Sequence, residues 1–241
     1  MLDEYGQVNV NELSRYFNVS EVTVRNDLAY LERKNLLIRA RGGAIKTEKA
    51  SLDLRFLEKK SKNVKEKEAI GRRAARFIED GDTIVIDSGT TTREITNHLG
   101  RFSRLTVVTN ALNIASSLAD MENITIIMPG GIMRHSILTL VGATAIDNFK
   151  MFFGDKLFLA ADGIDMNLGL SSPDLEEAAL KRTMLKMARK IIVVADSSKL
   201  GKRHLAVICN ISQIDVLITD SGISPMYKEA MEKMGVEGVV V

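Results

Sequence analysis

The run Ser88-Gly89-Thr90-Thr91-Thr92 follows the apolar stretch Thr83-Ile-Val-Ile-Asp87 and leads into an amphipathic segment. A glycine- and hydroxyl-rich turn between a buried strand and a helix start suits a phosphate. Free backbone N–H groups point outward there, the helix dipole favours an anion, and the hydroxyls add donors. The same residues also suit a plain strand–turn–helix in which the hydroxyls only cap the helix. The spacing matches neither a Walker loop nor a dinucleotide fingerprint, so no nucleotide cofactor is indicated. Further polar groups close other apolar runs: Thr109-Asn110, Gly130-Gly131, Asp162-Gly163, Asp196-Ser197-Ser198-Lys199 and Thr219-Asp220. Ligands of open α/β sheets bind outside the carboxyl ends of the strands. Acids, amides and hydroxyls recurring at those ends fit a polyhydroxylated, phosphorylated molecule, although any one of them alone is an ordinary turn-former.

A second kind of chemistry is written near the start of the chain. Asn11 can cap a short helix carrying Leu13, Tyr16 and Phe17, and Ser20 can cap a second helix running to about Lys34. In the second helix Val24, Leu28 and Leu31 form the apolar stripe, which leaves Glu21, Thr23, Arg25, Asn26 and Tyr30 outside the core. Two helices joined by a tight turn make a helix-turn-helix, whose second helix enters the major groove by its N-terminal end. Arginine can read guanine and asparagine adenine, so Arg25 and Asn26 are candidate base readers. Arg25 as a clamp on phosphate remains equally open. Leu36–Ala40, the turn Arg41-Gly42-Gly43 and Ala44–Lys46 resemble a two-stranded wing whose Arg39, Arg41 and Lys46 could hold backbone phosphates.

These residues need elements to position them, and the pattern supplies two regions. Residues 1–46 read as the winged helix-turn-helix, 47–63 as a polar linker with an apolar knot at Leu52, Leu54, Phe56 and Leu57, and 64–241 as an α/β domain. In the last region strand-like runs at Thr83–Asp87, Leu105–Thr109, Ile124–Met128, Lys156–Ala160, Ile191–Ala195, Val216–Thr219 and Gly238–Val241 alternate with helical patterns. Continuous Ile/Val runs of this kind suit strands buried on both faces of a parallel sheet.

Charge follows the same division. Met1–Arg76 carries a net +6 and Phe77–Val241 a net −4, within an overall +2. A basic module for a polyanion joined to a mildly acidic one accounts for this, as does a solvated basic helix between Arg55 and Arg76. One cysteine, Cys209, excludes an internal disulfide and a cysteine-rich zinc site. The three histidines, His98, His135 and His204, lack ligand spacing, so no metal is expected. No apolar run reaches the ~18–20 residues of a membrane span, and acids stand where a signal peptide would be basic. A cytoplasmic protein without a membrane partner is expected.

At the residue level the first region is specific. Ser20-Glu-Val-Thr23-Val-Arg25-Asn26-Asp27-Leu28, then Leu31-Glu32, Leu36-Leu37 and Arg41-Gly42-Gly43-Ala44, resembles the DNA-binding signature of the DeoR family of bacterial transcriptional regulators. The likeness continues through Asp87–Thr92, Thr109-Asn110, Gly130-Gly131, Gly142, Asp162-Gly163, Glu177-Ala178 with Lys181, and Asp196–Gly201. It therefore covers nearly the whole chain. The resemblance implies an effector domain similar in fold to ribose-5-phosphate isomerase and glucosamine-6-phosphate deaminase, with a phosphorylated sugar as ligand. By that resemblance Ser88, Gly89, Thr90 and Thr91 would take the phosphate, and Asp87, Asp162, Glu177, Lys181 and Lys199 would surround the sugar. The expected protein is a repressor of a sugar-catabolism operon acting on double-stranded operator DNA as a homodimer or homotetramer. The alternative is an isomerase- or deaminase-like enzyme with an appended DNA-binding module, in which Asp162, Glu177 and Lys181 would supply the base and the donor.

Overall fold

The computed structural model describes residues 1–33, 36–45, 59–135 and 137–241. The chain divides into two compact units, Met1–Lys62 and Asn63–Val241. Lys46 and the apolar knot of the expected linker lie outside the described residues.

The first unit runs α1 (Leu2–Tyr5), β1 (Gln7–Asn9), α2 (Val10–Phe17), α3 (Glu21–Arg33), β2 (Ile38–Ala40) and β3 (Gly43–Ile45). Asn9, two residues before the expected Asn11, caps α2 by accepting from the Asn11 N–H at 2.9 Å. The earlier start turns Val10 and Leu13 into the core with Val24, Leu28, Leu37 and Ala44. Tyr16 and Phe17, expected on the buried face, are instead exposed and meet edge to face with centroids 5.0 Å apart. Ser20 caps α3 as expected, accepting from the Thr23 N–H at 3.1 Å. The wing has a third strand that periodicity did not reveal: β1 pairs antiparallel with β3, giving the order β1-β3-β2. The two wing glycines have different reasons. Gly42 takes a left-handed φ of 82°, whereas a Cβ on Gly43 would lie 1.9 Å from the Val8 carbonyl oxygen.

The second unit continues with α4 (Val64–Ala74), β4 (Thr83–Ile86), α5 (Thr90–Thr96), β5 (Leu105–Thr109), α6 (Leu112–Leu118) and β6 (Ile124–Ile127). A hairpin of β7 (Ile132–Arg134) and β8 (Thr139–Val141) leads to α7 (Ala143–Phe149) and β9 (Gly154–Ala160). Then come β10 (Gly163–Asp165), β11 (Gly169–Ser172), α8 (Leu175–Met184), β12 (Ala188–Val194), β13 (Ala206–Cys209), β14 (Val216–Thr219), α9 (Pro225–Lys233) and β15 (Glu237–Val240). Seven strands form one parallel sheet in the order β15-β14-β12-β9-β4-β5-β6. All seven expected strands are present. Their side chains alternate into two cores. Ile84, Ile86, Ile192 and Ile218 pack with Ile70, Ile95 and Ile114 on one face, while Val85, Leu157, Val193 and Leu217 pack with Phe149 and Met184 on the other. A sheet covered on both faces explains why its strands read as unbroken apolar runs.

The strand order reverses once. From β4 the chain steps outward through β5 to β6, returns with β9 beside β4, and leaves through β12, β14 and β15 to the opposite edge. The β4/β9 junction is therefore a topological switch point, the place where open α/β sheets bind their ligands.

Candidate functional site

Asp87 ends β4 at this switch point, and its carboxylate sits against the end of β9. Its Oδ2 accepts from the Ala160 N–H at 3.1 Å and lies 3.0 Å from the Lys181 ammonium. Lys181 comes from α8 and also donates to the Ala160 carbonyl at 2.8 Å. Both side chains are almost wholly buried. Burial alone would pull the Lys181 pKa down, but Asp87, Asp162 and Glu177 together outweigh it and hold the ammonium charged. The three acids named from the sequence thus converge on one lysine.

The turn above the pair is only partly open. Ser88, Gly89 and Thr90 are half-buried, whereas Thr91 and Thr92 are buried. Thr92 Oγ1 donates to the Gly89 carbonyl at 3.1 Å, which gives that hydroxyl a local structural role. Gly89 has an extended φ of 174° and no side chain with which to cap α5. A Cβ there would come within 2.7 Å of the Ala160 Cβ, so glycine is needed for close packing rather than for a left-handed turn. The N–H groups of the first helical turn have no partners within the helix, and no side chain of Gly89 caps them.

Asn110 and the glycine pair occupy the far side of the sheet. Buried Asn110 donates from Nδ2 to the Leu140 carbonyl at 3.2 Å, while its Oδ1 has no hydrogen-bond partner among the described residues. Gly130 and Gly131 both have positive φ, and a Cβ on Gly131 would lie 2.7 Å from the Val141 carbonyl. The Asn110–Leu140 bond ties the β7–β8 hairpin to the end of β5, while the close approach at Gly131 lies within the hairpin. Lys199 lies on the short turn after β12, beside Asp196, whose Oδ1 accepts from Asn63 at 2.8 Å.

Arg134 is a site residue that the sequence reading missed. It closes β7 and pairs with Asp174 at 2.7 Å and Glu177 at 3.7 Å. Asp174 also caps α8 through the Glu177 N–H at 2.9 Å. The hairpin thus reaches from Asn110 at the end of β5 to the first turn of α8. In sequence Arg134 sits in a short, mixed segment, Ile132-Met-Arg-His135, with no periodicity to mark it.

In the first unit the candidate DNA residues gather on and beside α3. Ser20, Thr23, Arg25, Asn26, Tyr30, Arg39 and Arg41 are exposed and Glu21 is half-exposed. Glu21 meets Arg25 one turn away at 2.5 Å. The backbone N–H of Arg39 is held by Glu32 at 3.0 Å, tying β2 to α3.

Residues 1–50 match the DeoR-like helix-turn-helix domain, and residues 62–221 match the DeoR C-terminal sensor domain. This chain belongs to the DeoR family. Among DeoR-type relatives, it is 36% identical over 242 residues to an Escherichia coli O157:H7 protein named as a transcriptional repressor of the aga operon, covering 100% of this chain and 90% of that one. It is 34% identical to the glycerol-3-phosphate regulon repressor of Escherichia coli K12, covering 92% of this chain and 87% of that one. The repressor GlcR of Bacillus subtilis 168 is 32% identical, with 99% and 92% covered. A solved ribose 5-phosphate isomerase from Methanocaldococcus jannaschii overlaps 57% of this chain and 54% of its own, with a TM-score of 0.42 at 16% identity. The DeoR helix-turn-helix match contains every candidate DNA residue, and the sensor match contains every candidate effector residue. Among the described residues no helix is long and apolar enough to cross a membrane.

Proposed function

We propose that this DeoR-family chain represses a sugar-utilisation operon and that a phosphorylated sugar, bound at the β4/β9 switch point, controls its hold on the operator. The observation that carries this reading is the buried Lys181–Asp87 pair beneath the half-open Ser88–Thr90 turn. A fixed cation ringed by acids suits hydroxyl groups, and outward N–H groups beside it suit a phosphate. Asp162, Glu177 and Lys199 complete the sugar side, and Asn110 keeps an unsatisfied acceptor. Arg25 and Asn26 read bases, with Arg39, Arg41 and Lys46 on phosphates. Two-fold operators need two reading heads, so the active form is a dimer or tetramer.

The chain senses its ligand and does not turn it over. Its relatives are named as regulators, and catalysis needs no helix-turn-helix. The test pairs two assays on the full chain: operator affinity with and without a panel of pentose and hexose phosphates, and turnover of the same panel. A sugar phosphate that shifts operator affinity without being converted is the expected result. Sustained conversion lost in Glu177→Gln would replace the sensor with an enzyme.

A further inference from the structure

Helix α8 has two unlike faces. Glu177, Lys181 and Met184 turn inward, the first two to the Arg134 and Asp87 carrying elements and the last into the core. Leu175, Ala179 and Arg182 stand one turn apart on the opposite side, and Leu175 is 62% exposed. Packing within the chain gives that outer side no role.

The outer stripe continues onto β13. Arg182 Nη1 donates to the Val207 carbonyl at 2.8 Å. Ser172, three residues before Leu175, is the strand partner of Ala206, which brings the start of α8 to the start of β13. There Leu205 is 77% exposed, and Val207 is exposed two residues on. Among the described residues β13 is the outermost strand of its small sheet, paired with β11 alone. Leu175, Leu205 and Val207 thus make an apolar surface at a sheet edge, with Arg182 covering one edge carbonyl. A surface of this kind is a place for another chain.

Its charges say which chain. The first turn of α8 presents Glu176 and the last turn Arg182, both exposed. A two-fold axis across the helix reverses that order. An antiparallel second α8 therefore sets Arg182 of each copy against Glu176 of the other, with the apolar residues meeting between them. A partner without this order gains neither pair.

We propose that the outer face of α8, with Leu205 and Val207 of the β13 edge, is a two-fold contact between copies of this chain. The proposal rests on the oligomeric reading of the active form and names the face that makes it. It also makes α8 common to the effector site and the contact. A sugar phosphate engaging Glu177 and Lys181 then acts on the helix through which two copies meet.

The test is the dissociation constant of the full chain, from sedimentation equilibrium over a concentration series. A two-fold contact feels each substitution twice. Leu205→Glu should raise the constant at least about tenfold, since it buries a carboxylate in the apolar part of the contact. Glu176→Arg and Arg182→Glu should each raise it too, and the double variant should return close to wild type. Those two residues are six apart on one helix and cannot pair within a chain, so recovery needs the second copy. A double variant no tighter than the singles overturns the proposal. So does a constant unmoved by Leu205→Glu, which would leave the copies joined by another face or this face to a different protein. If Arg182→Glu does not fold, Leu205→Glu and Leu175→Glu, both at exposed positions, decide by the same criterion. A wild type that stays monomeric over the whole series removes the oligomeric reading itself and this proposal with it.

Discussion

Arg25 can be tested with little interference from the fold, because among the described residues it makes an exposed pair with Glu21 one turn away. Such a pair contributes about 0.3–0.5 kcal/mol to a helix, so losing it barely touches stability. Arg25→Ala should weaken specific operator binding by about 1–3 kcal/mol and leave nonspecific duplex binding nearly as it was. An unchanged ratio of specific to nonspecific affinity, measured at fixed salt, would make Arg25 a phosphate contact instead. Lys181 is the opposite kind of residue. Lys181→Met strands the Asp87 carboxylate in a buried site, at a cost of about 3–5 kcal/mol in chemical unfolding. Replacing both, Asp87→Leu with Lys181→Met, should recover most of that stability without recovering any effector response. A double variant as unstable as the single one would mean that the site needs its charges to fold. Part of this is legible in the residues themselves: Asp162 closes an apolar run, whereas Asp87, Glu177 and Lys181 come to the site through the resemblance to the DeoR family, because one acid or lysine in a strand or helix is in isolation an ordinary surface residue. The burial of Lys67 is hidden by its surroundings, since a lysine among Lys59, Lys60, Lys62 and Lys65 reads as one more solvated charge.

Among the elements, those with strong periodicity were legible and the short ones were not. Strands β4, β5, β12 and β14 announce themselves as Ile/Val-rich runs, and β9 as the apolar run Leu157-Phe-Leu-Ala160, because both of their faces are buried. The β7–β8 hairpin, the small sheet β10-β11-β13 and the wing strand β1 have three or four residues each, too few for alternation to show. Their register comes from tertiary pairing, as when Gly43 lets β1 approach β3. The Ser88–Thr92 element carries its own prediction. Gly89→Val would drive a branched side chain into Ala160, so it should destabilise the strand–turn–helix as well as abolish effector binding, and unfolding measurements should show the first effect. Thr90→Ala is the cleaner probe: it removes one hydroxyl from a half-buried position, and should weaken effector binding by about 0.5–1.5 kcal/mol with thermal stability nearly unchanged. If Thr90→Ala binds the sugar phosphate as wild type does, the hydroxyl serves only the helix start.

For the whole molecule the question is how a sugar phosphate in one unit alters DNA binding by the other, and thermodynamics constrains the answer before any pathway is known. A ligand shifts an equilibrium only by its difference in affinity between the two states. If effector lowers operator affinity by some factor, saturating operator must lower effector affinity by that same factor. For a repressor released by its effector the factor falls in the range of about 5–150, equivalent to about 1–3 kcal/mol. The measurement is effector affinity by calorimetry, with and without a saturating operator duplex, set beside operator affinity with and without effector. Equal factors, both weakening, are expected. Equal factors that both tighten would make the sugar phosphate a corepressor. A factor of one in both directions would leave the sensor unit bound to its ligand yet silent toward DNA, and the proposed control would fall. Salt must be held constant throughout, because the first 76 residues carry a net +6 and operator affinity falls steeply as counterion release loses its driving force. The same cycle with Thr90→Ala separates binding from transmission. If the hydroxyl contributes only to holding the effector, its loss raises the effector concentration needed for release and leaves the coupling factor as it was. If the factor itself shrinks, the Ser88–Thr90 turn belongs to the element that changes between the DNA-bound and released states.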